Sequence, residues 1–242
     1  MNKVLPVILL ATLFLTSCNS LIGMLVGYKE LTNFNEEDCT SFLKESQQTL
    51  PCSQIISTVD QTNARLSLDT AEAVFHDLYQ PVHVLCFDGD SLVSWLVQCY
   101  ATKPGSLKVD WNHDGHFNTF PPKASVPIPF GHLSLTRHKA IYPTLQSTTR
   151  YTVLIIYTNM MRRVSLRAIE AVAHSLSGHE KETTVVLINN DPWWVHLNNH
   201  PDDTPFHHSN DRFQTKTQLM IAKINKTFDT AIRNRFFFLV CG

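Results

Sequence analysis

The chain is most informative first through what it lacks. No apolar run approaches the roughly 20 residues a helix needs to cross a bilayer, so a membrane-spanning helix is excluded at this level. No block of like charge occurs, and the formal net charge is −1, so there is no electrostatic footprint for nucleic acid and no acidic or basic tail. No internal repeat is present, which excludes a solenoid. No pair of cysteines has the C-x-x-C spacing of a redox dithiol or a zinc knuckle. What is there is a 43% apolar chain of 242 residues, enough for a real core in one domain.

The first eighteen residues carry an address. Lys3 supplies a positive charge, residues 5–15 are almost wholly apolar, and the run closes on Leu15, Thr16, Ser17 and Cys18. A charged start, a short apolar stretch and a small-residue end are the three parts of a secretory signal. Leu15-Thr16-Ser17-Cys18 resembles the bacterial lipobox. The resemblance implies that residues 1–17 are a signal peptide, that the Cys18 thiol takes a diacylglycerol, and that the new amine is acylated. Two or more acyl chains make a stable anchor, at about 0.8 kcal/mol per buried methylene. Asn19 after the cysteine implies the outer membrane, facing the periplasm. The membrane, through lipid on Cys18, is thus the expected partner, with an envelope protein or a small ligand besides.

Export puts the remaining cysteines, Cys39, Cys52, Cys86, Cys99 and Cys241, in an oxidising compartment. An odd number leaves at least one unpaired. Cys39 and Cys52, close in sequence, are the first expectation for a bridge.

Residues 18–34 read as a tether and 35–81 as a helical appendage. Within the latter, 35–50 is a helix: Asn35 caps it, acids fill its first turn, and Pro51 follows. Residues 82–87 and 92–99 read as strands of a hairpin around Asp88-Gly89. The clearest unit runs from 151 to 191. Residues 153–157 and 184–188 are apolar, β-branched runs suited to strands buried on both faces. Between them Ile169, Val172, Ala173 and Leu176 mark one helix face, and Gly178 stops the helix. This is a β-α-β unit with a parallel pair. A helix through Ile221, Ile224, Phe228 and Ile232, then a strand RFFFLV, close the chain.

The strand, helix and second strand ending in Asn190-Asp191 resemble the opening of a thioredoxin-like domain, and the whole layout is similar to redoxin-like bacterial lipoproteins. The resemblance implies an α/β fold over residues 82–242, a thioredoxin-like β-α-β core with an added β-hairpin and helices on the sheet. Redox members carry C-x-x-C where the first strand meets the helix. Here that place reads Thr158-Asn159-Met160-Met161-Arg162-Arg163. The expectation is a redox-inactive binding module, with no catalytic residue, cofactor or resident metal, that takes a ligand near Asn159, Arg162, Asp191 and Trp193. Trp193 and Trp194 could stack a ligand or cover the sheet edge, and the latter is favoured.

Other stretches suggest chemistry beside a plainer account. Asp88, Asp90, Thr158 and Asp191 resemble the set of a haloacid-dehalogenase-type phosphohydrolase, the alternative function, with metal-dependent chemistry. One residue is missing between Asp90 and Ser91-Leu92, and Asp88-Gly89 serves equally as a turn. Asp110, Asn112, Asp114 and Gly115 follow an EF-hand start, but the twelfth position is Pro121, which favours a plain turn. His196, His200, Asp202, Asp203, His207 and His208 offer metal ligands in what reads as a polar loop. Ser175, in AHSLSG, echoes a lipase elbow but lies at a helix end.

Overall fold

The computed structural model describes residues 28–68, 76–102, 108–128, 133–200 and 203. In chain order these form helix α1 (Glu36–Thr49), strand β1 (Ser53–Ile56), helix α2 (Val59–Leu66), strands β2 (His83–Asp88) and β3 (Ser91–Val97), helix α3 (Leu135–Ile141), strand β4 (Tyr151–Tyr157), helix α4 (Arg162–Ser175), strand β5 (Thr183–Asn189) and helix α5 (Asp191–Asn199). The chain divides into a unit Met1–His196 and a unit Leu197–Gly242, and the sheet lies wholly in the first. The expected closing helix and strand, His207 and His208, and the leader with Cys18 fall outside the described residues.

The five strands form one mixed sheet in the order β1-β5-β4-β2-β3. β4 and β5 pair in parallel from Tyr151↔Thr183 to Tyr157↔Asn189. α4 makes the crossover, as the β-α-β pattern predicts. β1 adds in parallel to β5, while β2 is antiparallel to both β4 and β3. The mixed α/β class is therefore established.

Alternate residues of a strand face opposite sides. Val84, Cys86, Val153, Ile155, Tyr157, Val185 and Leu187 share one core with Phe42 of α1 and Val164, Ala168, Ile169 and Val172 of α4. Leu85, Phe87, Leu154 and Ile156 are equally buried on the other side, where Phe87 meets His138 of α3 edge to face, 5.5 Å between ring centres. Cover on both faces explains why the central strands read as continuous apolar runs.

Local signals hold at several ends. Asn35 accepts from Glu37 N–H at 2.9 Å and caps α1. The hairpin turns on Gly89, whose φ of +57° favours glycine, with Asp88 paired to Ser91; the turn is thus Gly89-Asp90, one residue later than expected. α4 ends at Ser175, short of Gly178, which turns the chain at φ +89° while its N–H donates to the Glu180 carboxylate.

The segment 35–81 is not a mere appendage. Its β1 is an edge strand of the main sheet, and Phe42 of α1 stacks on Tyr157 at 4.1 Å. The end of the expected tether is also docked: Leu31 is buried, and Lys29 N–H donates to Met160 C=O at 2.8 Å.

Candidate functional site

The carboxyl ends of β4 and β5 meet at Thr158, Asn159 and Asp191. Parallel strands in register bring these residues together, as an open α/β sheet does at its ligand-binding edge. Asp191 is 3% exposed. Its carboxylate accepts from Thr158 Oγ1 at 2.6 Å, Asn159 N–H at 2.8 Å and Asn159 Nδ2 at 2.7 Å. Asn159 then passes the network outward: its Oδ1 accepts from Arg162 Nη1 at 3.1 Å. Arg162 reaches Glu45 of α1 at 2.5 Å and lies over the Phe42 ring, 5.2 Å from its centre. Three of the four expected binding residues thus form one chain of contacts, from a dry carboxylate to a half-exposed ion pair.

Trp193 does not join them. It is buried, donates Nε1–H to Asn63 of α2 at 2.9 Å and packs edge-on against Tyr79 and Trp194. It ties α5 to α2, so of the two roles open to it in the sequence Trp193 takes packing, the favoured one, though against α2 rather than beside the other three binding residues.

Cys39 completes the site from α1 and was not foreseen there. Its thiol lies 3.7 Å from Asn159 Nδ2 and 4.0 Å from Asp191 Oδ2. Burial and the nearby carboxylates of Asp191, Asp38 and Glu36 push it up to about 12. A thiol so held stays protonated and is a poor nucleophile. The Tyr157 phenol is likewise raised, by burial and then by Cys39 and Asp191. The expected Cys39–Cys52 bridge is absent: Cys39, Cys52, Cys86 and Cys99 are all free thiols.

The hydrolase set is not assembled. Asp88 pairs with Tyr151, at the start of β4, whereas Thr158 and Asp191 follow its far end. Seven strand residues lie between, about 23 Å at 3.3 Å each. Asp88 is engaged by Arg150 through two bonds of 2.9 and 3.0 Å, and Asp90 Oδ1 accepts from Thr136 N–H at the start of α3. Asp110 Oδ1 accepts from Asn112 N–H and Asn112 Oδ1 from Phe117 N–H, while Asp114 pairs with His113 and His116. These oxygens close a turn rather than encircle a cation. Ser175 donates to Thr119 C=O at 2.8 Å, a structural bond. His196 lies within α5 rather than in a loop.

On the other face of the sheet lies a polar cluster that no motif announced. Arg65 of α2 is 1% exposed and donates Nη1–H to Leu78 C=O at 3.0 Å and to His83 Nε2 at 3.1 Å. His83 Nδ1 faces Gln80 C=O at 3.1 Å, so Nδ1 carries the proton and the ring is neutral. No carboxylate pairs with Arg65 among the described residues. Burial, then Arg65, holds His83 well below the usual histidine range, and burial lowers His138 to about 4.

A comparison with protein-family models finds no match, and neither the curated proteins nor the solved structures yield one.

Proposed function

We propose that this chain is a lipid-anchored protein of the bacterial envelope whose α/β body is a redox-inactive, thioredoxin-like binding module. Support for the anchor is the sequence Leu15-Thr16-Ser17-Cys18. Support for the thioredoxin-like core is the strand order: the β2–β3 hairpin lies beside β4 on the side away from β5. In a thioredoxin core the closing hairpin takes that position. Here the hairpin comes earlier in the chain, so the order of connection differs from that family.

The observation that carries the absence of thiol chemistry is the state of the strand ends. Asp191 is saturated by three donors, and the lone thiol that reaches it, Cys39, is fully buried and held protonated. The solvent-reached part is instead the outer end of this brace. Arg162 reaches Ser41 and Glu45 on an open, polar face of α1 that also carries Glu36, Glu37, Thr40 and Lys44. With Glu45 taken by Arg162, Glu36 and Glu37 stand against the one ammonium of Lys44, a slight acidic excess that suits a partner segment presenting a cation.

The test uses the full chain and a Cys18→Ala variant in a Gram-negative host. The wild type incorporates labelled palmitate and sediments with membranes, and the variant does neither. The purified body does not accelerate the reduction of insulin disulfides by dithiothreitol above the uncatalysed background. Label-free, soluble wild type, or catalysed reduction, overturns the reading.

A further inference from the structure

The antiparallel β2–β3 hairpin brings the segment entering β2 next to the segment leaving β3, because His83 pairs with Val97. His76 and Asp77 sit on the helical turn before β2, and Cys99 on the 3-10 turn Gln98–Tyr100 after β3. One ligand atom from each of the three lies within 4.8 Å of the others. They are far in sequence from the Asp191 network and play no part in it.

Asp77 makes this corner unusual. Its side chain is 11% exposed, yet among the described residues no lysine or arginine pairs with it; its partner is His76 Nδ1 at 3.1 Å, and that imidazole is half exposed. A desolvated carboxylate is costly unless it is paired or coordinates a metal. Imidazole, carboxylate and thiolate are the three zinc-ligand types. The sulfur argues against calcium and magnesium, which take oxygen alone. Ligand atoms on a tetrahedral zinc stand about 3.3–3.8 Å apart, so small side-chain rotations close the set. His76 and Cys99 are exposed, which leaves an entry path and a fourth position for water.

We propose that His76, Asp77 and Cys99 form a three-ligand site for a thiophilic divalent cation of the zinc class, open at its fourth position. Binding releases the Cys99 thiol proton to solvent and joins the two ends of the hairpin through one ion.

The test is cobalt(II) titration of the full chain, read by the thiolate-to-cobalt charge-transfer band in the near ultraviolet. One equivalent of cobalt produces the band, zinc abolishes it, Cys99→Ser removes it and Cys52→Ser retains it. His76→Ala weakens zinc binding at least about 10-fold. Independently of any variant, bound zinc protects Cys99 from alkylation, read by mass spectrometry. No band, a band that survives Cys99→Ser, or Cys99 alkylated equally fast with and without zinc overturns the proposal.

Discussion

Asp191 shows how a single residue can look catalytic and be structural. It sits where an open sheet places its chemistry, yet its oxygens are taken by Thr158 and by two groups of Asn159. Asp191→Ala leaves three buried donors without an acceptor. Each costs about 1–3 kcal/mol, so the loss of stability is at least about 3 kcal/mol, measured as a fall in the urea midpoint. Asp191→Asn keeps one oxygen but turns an amide toward a donor, and its loss is smaller. An Asp191→Ala variant as stable as wild type contradicts the brace. Asp191 itself was legible in the sequence because it follows a buried strand. Cys39 was not: the two are 152 residues apart, and only the docking of α1 on β4 brings them together.

At the scale of elements, strong local chemistry was readable and weak local chemistry was not. The Asp88-Gly89 hairpin, the Asn35 cap and the β4-α4-β5 unit each rest on a residue type with one physical meaning. β1 is four residues, SQII, too short to alternate; its strand state comes from pairing with β5. α2 and α3 are short helices, Val59–Leu66 and Leu135–Ile141, opened by a Thr58–Gln61 capping box and by a Ser134 cap on Arg137 N–H, signals that stand in short polar stretches without a long apolar period. The hairpin offers a clean check. An added Cβ at Gly89 meets nothing within 4 Å, so Gly89→Ala reports backbone strain alone. Thermal melting should register a cost of about 1 kcal/mol, with Gly89→Asn nearer wild type. An unchanged melting temperature in Gly89→Ala rules out the left-handed turn.

For the whole molecule, the buried Arg65–His83–His138 cluster sets the response to acid. Both histidines have folded values below the ordinary value of about 6.5. A depressed histidine is neutral when folded and takes up a proton on unfolding. Its stabilising effect is therefore complete above about pH 6.5 and is lost as pH falls toward the folded value, about 4 for His138. His138 alone accounts for up to about 3 kcal/mol over that window. Urea melts between pH 7.5 and 4.5 should show stability falling steadily below pH 6.5, with a shallower fall in His138→Gln. A flat profile in the wild type refutes the neutral, dry histidines.

The sequence by itself determined the central β-α-β unit, the hairpin and the lack of any C-x-x-C pair. Each is a matter of neighbours along the chain, where residue type and spacing carry the physics. Only the tertiary structure decided that residues 53–56 join the sheet, that Cys39 faces Asp191, that Trp193 packs inward and that Asp88 stands at the wrong end for Asp191. Those depend on strand order and direction, which burial of both sheet faces selects and which no local spacing encodes.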